Sequence, residues 1–327
     1  MSSPSAEAAR PNPVIRFCKL IWADYSIVVV CVVFFIAFGV IQPRFMTVPN
    51  LLLIMRQSSV VGMIALGMTF VIITGGIDLS CGHVLAASGA VLITMQANEA
   101  IPMPFAILAC MAVATAIGLF NGVLITRFNL PAFIVTLAIG IMARSLTKYA
   151  LSGATVAGRN IPQFTQIGLG TIGIIPNALI IWLLSTVVLG CVLSYTKFGS
   201  YIYAVGGNES AAKYSGISVN KIKVLAYTLT GFCVSIATVL DLSRMAAISP
   251  ATAGDMYEFD AITAVVVGGT SLAGGRGRIL GTVFGVIMIT VVSNVMVMMR
   301  ISPYLSGAVK GLIILAAVLL QRQDRAA

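Results

Sequence analysis

Charge is scarce in this chain. Aspartate, glutamate, lysine and arginine make up 9% of its 327 residues, against 59% hydrophobic ones, where a soluble globular protein carries about 25% charged residues. With a mean hydropathy of +1.02, that scarcity excludes a water-soluble globular fold and leaves a polytopic membrane protein. Histidine is scarcer still: His83 is the only one, which excludes a histidine-based metal centre or catalytic dyad. Six cysteines, Cys18, Cys31, Cys81, Cys110, Cys191 and Cys233, fall mostly inside apolar segments without a C-x-x-C pair. They read as small hydrophobes and not as a disulfide framework or zinc site.

The signatures of catalysis are absent too. No G-x-x-x-x-G-K-[ST] segment, H-E-x-x-H, nucleophile elbow or close Ser/His/Asp arrangement occurs, so no catalytic residue, metal or cofactor is expected in the chain itself. Gly168-Leu169-Gly170-Thr171-Ile172-Gly173 matches the G-x-G-x-x-G pattern. No strand precedes it and no acid follows about 20 residues on, so it reads as a loop. The net charge of +10 would point a soluble protein toward nucleic acid. Here it reads as loop charge that sets topology, with membrane lipid as the surroundings and no nucleic acid as partner.

What is present is a succession of apolar runs. Behind a polar tail at 1–21 come Ile27–Ile41, Leu51–Thr74, Gly82–Gln96, Phe105–Thr126, Ala132–Leu151, Asn177–Tyr195, Val224–Leu240, Ala261–Gly268, Ile279–Met299 and Tyr304–Leu320, before a basic tail at 321–327. At about 20 residues per span, residues 22–320 form one transmembrane domain of about ten helices. The expected fold class is an all-α membrane protein, a polytopic helical bundle. Gly118-x-x-x-Gly122 and Gly281-x-x-x-Gly285 predict close helix contacts. Arg10, Arg16, Lys19, Arg127, Lys197, Lys213, Lys221, Lys223, Arg276, Arg278, Arg322 and Arg325 fall on one side, which the positive-inside rule makes cytoplasmic together with both termini.

The longest stretch unsuited to hydrocarbon is 196–223. Its centre contains Gly206, Gly207, Asn208, Glu209, Ala212, Lys213 and Gly216. Asn208 is a good N-cap and Gly216 a good residue beyond the C-terminus, while Glu209 and Lys213 suit the dipole and an i,i+4 pair. So short a helix is not stable by propensity alone, so something must pack against it. The stretch is either a solvated connector or a docking surface for a soluble partner.

Other polar positions each carry two readings. Gly75-Gly76 with Asp78, and Gly268-Gly269 with Arg276 and Arg278, interrupt apolar runs at the same side. They are simple turns, with Asp78 as a helix-end cap, or bends of a cytoplasmic gate held closed electrostatically. Gln57, Ser58, Ser59, Asn121, Thr136 and Asn294 either bond neighbouring helices or line a route for a neutral hydroxylated solute. On the opposite side, Arg44, Arg56, Arg159 and Arg300 either anchor the interface or pair with carboxylates of a docking protein. Lys310 lies about 10 Å inside its span, where it snorkels or serves a structural or pathway role. The acids otherwise sit at span ends or in loops, which disfavours an ion-coupled transporter.

Four ordered motifs carry a family resemblance: Thr74-Gly75-Gly76-Ile77-Asp78-Leu79-Ser80-x-Gly82, Pro131-Ala132-Phe133-Ile134-x-Thr136-Leu137, Gly206-Gly207-Asn208-Glu209-x-Ala211-Ala212 with Ser215-Gly216-Ile217, and Val267-Gly268-Gly269-Thr270-Ser271-Leu272-Ala273-Gly274-Gly275-x-Gly277. From about Trp22 to Leu320 the chain resembles the permease of bacterial ribose-type ABC importers. One departure is Arg144-Ser145, where members of that family often have Arg-Gly. The resemblance implies a type II importer-like permease in the bacterial inner membrane that passes a ribose-like monosaccharide. It also implies a second permease copy, in a homodimer in preference to a heterodimer, and a periplasmic sugar-binding protein. A cytoplasmic ATPase, which binds the ATP and Mg, would receive the 196–223 stretch as its coupling loop. The alternatives are an ion-coupled sugar transporter and a non-transporting membrane scaffold.

Overall fold

The structure, a computed structural model, describes residues 28–302, 305, 307–313 and 315. The expected tails at 1–21 and 321–327, and residues 304, 306, 314 and 316–320 of the run Tyr304–Leu320, lie outside the described residues. The fold is helical: α1 (Val28–Ile41) is followed by a 3₁₀ turn at Pro43–Met46, then α2 (Val48–Ile73), α3 (Cys81–Ala97), α4 (Met103–Arg127) and α5 (Ala132–Ala150). Next come α6 (Pro162–Leu169), α7 (Asn177–Tyr195), α8 (Lys197–Gly207), α9 (Glu209–Tyr214), α10 (Val219–Met245), α11 (Tyr257–Val267) and α12 (Ile279–Met298). Residues 307–313 are again helical.

Among the described residues, six helices are long and apolar enough to cross a membrane: α2, α4, α5, α7, α10 and α12. This is fewer than the ten spans read from the runs. Helices α1 and α3 are apolar but shorter, and α11, at 11 residues, reaches only about 16 Å, half a hydrocarbon core. The discrepancy is physical: a buried half-helix need not traverse the bilayer if protein surrounds its ends.

Helices α2 and α10 form the centre. Both are apolar on nearly every face and largely enclosed, as expected of helices surrounded by other helices. Helix α10 packs on α4, α2, α3 and α6, and α2 also on α12, α7 and α11. The two small-residue motifs mediate two of the closest approaches. A Cβ on Gly118 would collide with the Tyr227 carbonyl and one on Gly122 would lie 2.8 Å from Val224 Cα, so this face of α4 meets α10 backbone to backbone. Gly281 and Gly285 bring α12 equally close to Gly268 and Ala264 at the end of α11.

The bundle has two dissimilar ends. One carries α8 and α9. The other is closed by the connections before and after α6 and by the α10–α11 loop, where strands β1 (Val156–Ala157) and β4 (Ala247–Ile248) pair antiparallel, as do β2 (Thr171–Ile172) and β3 (Ile175–Pro176). The glycine-rich run read as a loop is more ordered than that: Gly168, in the last turn of α6, lies against Ser243 of α10, Gly170 follows the helix as its C-cap, and Gly173, at φ +64°, turns the β2–β3 hairpin. Arg144 fastens this end. Its Nη1 donates to the Ala253 carbonyl at 2.6 Å and to Pro250 at 3.2 Å, holding the α10–α11 loop onto α5.

Candidate coupling surface and gate

The 196–223 stretch folds into two helices. Thr196 caps α8, its hydroxyl accepting from Gly199 N at 3.3 Å. Ile202 and Val205 are buried, and Phe198 stacks on Phe70 of α2 with ring centroids 6.1 Å apart. Helix α9 has the caps its sequence predicts. Asn208 Oδ1 accepts from Ala211 N at 2.9 Å. At the other end Gly216, at φ +81°, places its own N–H on Lys213 O (3.1 Å) and that of Ile217 on Ala212 O (3.0 Å), closing a Schellman motif. Ala212 is the buried residue of this six-residue helix; Glu209, Lys213 and Tyr214 are exposed, Tyr214 by 92%.

The expected Glu209–Lys213 pair is not what forms. Glu209 Oε2 instead lies 2.6 Å from Lys223 Nζ, on the second turn of α10. The i,i+4 geometry of an isolated helix competes here with a lysine on a helix folded alongside, and tertiary placement wins.

Both glycine-rich interruptions meet the end of α8. The Ile73 carbonyl, freed by the end of α2, accepts from Gly275 N at 2.9 Å, and a Cβ on Gly206 would overlap that same carbonyl oxygen. Gly274, at φ +82°, faces Gly206 O and Gly75 N, each about 3 Å from where its Cβ would stand. The Tyr203 hydroxyl donates to Gly277 O at 2.7 Å; burial pushes its pKa up, so it stays a donor. Gly75 at φ +81° and Gly269 at φ +89° provide the turns. Arg276 and Arg278 are exposed beside this junction, as are Lys197, Lys213 and Lys221.

Asp78 sits elsewhere. It is 2% exposed, and its Oδ1 accepts from Ser80 N at 2.9 Å and Ser80 Oγ at 2.6 Å, immediately before α3. Asn121 Nδ2 of α4 donates to the same Ser80 Oγ at 2.9 Å. The neighbouring Ile77 carbonyl accepts from Tyr227, roughly 12 Å along α10 from its first residue. The acid read as lying at a span end is therefore enclosed between helices.

A family model described as a branched-chain amino acid transport system permease component matches residues 50–318. The chain is 40% identical over 290 residues to the ribose import permease protein of Escherichia coli (strain K12), covering 87% of this chain and 89% of that relative. It is 42% identical over 289 residues to the ribose import permease protein of Bacillus subtilis (strain 168), covering 88% and 89%. The chain belongs to the ribose-type ABC import permease family. A fructose import permease protein from Rhizobium meliloti is 33% identical over 310 residues, or 91% of this permease and 84% of the relative. No solved structure matches the permease with significance. The family is one of transport subunits, so the permease is not an enzyme.

The remaining sequence-predicted residues of the permease are dispersed. Asn294 exchanges amide hydrogen bonds with Asn50, at 2.8 and 3.1 Å, joining α12 to α2. Thr136 accepts from Leu79 N at 3.1 Å and so holds the segment before α3 against α5. Ser58 is buried and Gln57 half-buried on α2. Arg56 donates to Leu169 O at 2.7 Å, and Arg159 to Gln96 O at 2.6 Å, while Arg44 and Arg300 are exposed. Lys310 Nζ lies 2.8 Å from the Asp260 carboxylate, with side-chain exposures of 14% and 9%, so it reaches a partner inside the protein. Sequence reasoning missed Asn50, Ser80, Tyr203 and Lys223 as partners. Only Lys223 had a visible signal, as a cation within the polar stretch.

Proposed function

We propose that this permease is the membrane subunit of an ATP-driven importer and conducts a monosaccharide, ribose or a related sugar, through alternating access without chemistry on the sugar. The observation that carries the reading is the 40–42% identity to ribose import permeases over nearly the whole of both chains. The description attached to the family model names amino acids, but relatives named for ribose, allose and fructose favour a sugar. A second copy of the chain, a homodimer, completes the pathway, and a periplasmic binding protein delivers the substrate.

The end carrying α8 and α9 faces the cytoplasm, with both termini on that side, and α9 is the surface an ABC ATPase contacts. What supports this is a capped, exposed six-residue helix in a stretch that also exposes Lys197, Lys213 and Lys221. The ten-span count is retained by adding α1, α3, α11 and the run 304–320 to the six long helices. Gly75, Gly76, Gly268 and Gly269 act as bends of the cytoplasmic gate, while Arg44 and Arg300 remain available to a docking protein. The reading is tested by reconstituting the permease with its ATPase and binding protein in proteoliposomes and measuring uptake of ribose, allose and fructose. Uptake that requires ATP and resists uncouplers supports it; uptake without ATP that uncouplers abolish replaces it by ion coupling.

A further inference from the structure

Three segments distant in sequence share one small volume at the end of α8. Tyr203 and Gly206 stand on one face of α8, at the i and i+3 positions of a helix, with the Gly207 Cα beside them against Gly275. Onto that face close the end of α2, through the Ile73 carbonyl, and the α11–α12 interruption, through Gly274, Gly275 and Gly277. The two interruptions are also bonded to each other, Gly275 N to Ile73 O at 2.9 Å. Backbone meets backbone throughout: the Gly206 Cα leaves no room for a methyl, and a Cβ on Gly275 would lie 2.8 Å from Gly207 Cα. Surfaces packed this closely do not deform gradually, so a displacement of one is passed to the others.

We propose that the last turn of α8 is a joint, with Gly206 and Tyr203 its positioning residues, through which a push on α8–α9 moves both interrupted segments together. Gly206 sets the close approach to the α2 end, and the Tyr203 hydroxyl holds Gly277. The segment 74–80 contains Asp78 and leads into α3, and the segment 268–278 lies between α11 and α12, so one lever reaches α3 as well as α11 and α12. This rests on the ATPase-driven reading above and adds to it the route of transmission within the chain.

The test is hydrogen exchange on the permease assembled with its ATPase, with and without ATP trapped by vanadate, reading the amides of 74–80 and 268–277. In the wild type both segments should change exchange together on trapping. Tyr203→Phe removes one hydroxyl and leaves the packing intact. It should retain the ATPase on co-purification, while the nucleotide-dependent change at 268–277 falls roughly 2- to 10-fold, the scale of one lost hydrogen bond. Gly206→Ala should weaken the response of both segments; if it does not fold, Tyr203→Phe alone decides. An undiminished response in Tyr203→Phe, or wild-type exchange that changes in one segment without the other, overturns the joint. Loss of the ATPase from Tyr203→Phe also overturns it, by placing that residue in the docking surface. If the wild-type permease does not retain an ATPase at all, the functional reading itself falls, and the two failures are thereby distinguished.

Discussion

Lys223 Nζ lies 2.6 Å from Glu209 Oε2, joining the first residue of α9 to the second turn of the central helix α10. The glutamate side chain is 56% exposed, so the pair adds little to stability, about 0.2–1 kcal/mol by the standard of exposed pairs. It does tie the start of α9 to α10.

Glu209→Lys should therefore leave insertion and thermal unfolding in detergent close to wild type, since only an exposed pair is lost. Uptake per ATP hydrolysed, and ATPase stimulation by the binding protein, should both fall. Wild-type values of both would remove α9 from the coupling surface.

Asp78 separates charge from cap. Asp78→Asn keeps an oxygen for Ser80 N and Ser80 Oγ, whereas Asp78→Ala leaves the backbone N–H of Ser80, the N-cap residue of α3, without that acceptor, a loss of about 1–3 kcal/mol for a buried donor left unpaired. If the charge holds a gate, both variants leak sugar or hydrolyse ATP uncoupled from uptake. If the oxygen alone matters, Asp78→Asn transports normally and only Asp78→Ala melts early.

The buried pair Lys310–Asp260 should behave oppositely to the exposed one. Lys310→Met leaves Asp260, 6% exposed, without its cation, and breaking such a pair costs about 3–5 kcal/mol. Replacing both, with Lys310→Met and Asp260→Leu, should recover most of that loss. A denaturation series of the two single variants and the double variant in one detergent measures the coupling, and additive losses would contradict it.

The four arginines opposite the α8–α9 end should divide into two pairs. Charge reversal of Arg44 or Arg300, both exposed, should weaken binding-protein affinity and flatten its salt dependence. Reversal of Arg56 or Arg159 should lower thermal stability, because each guanidinium satisfies a backbone carbonyl, Leu169 O or Gln96 O. Equal effects of all four on docking would reject the division.

Much of this was legible in the residues. The apolar runs located five of the six long helices to within about three residues and fell five short at each end of α10, because hydrocarbon burial of an uncharged stretch is a local property of composition. Asn208 and Gly216 marked the ends of α9 because caps are made by residues adjacent in sequence. Gly118 and Gly122 announced a close contact without naming its partner, since a missing side chain permits approach but does not choose what approaches. The run Ala261–Gly268 did not fix a span length, because apolar composition is the same in a long helix and in the 11-residue helix α11.

By itself the sequence determined the membrane environment, the helical class and the local caps, all of which depend on neighbours within about a turn. Only the tertiary structure decided which groups pair: Glu209 with Lys223, Asp260 with Lys310, Asn50 with Asn294, and the α8 glycines with Ile73 and Gly275. These choices depend on how α10, α11, α12 and α2 lie against one another, and that arrangement follows from steric fit summed over whole helix faces, which no short window of residues contains.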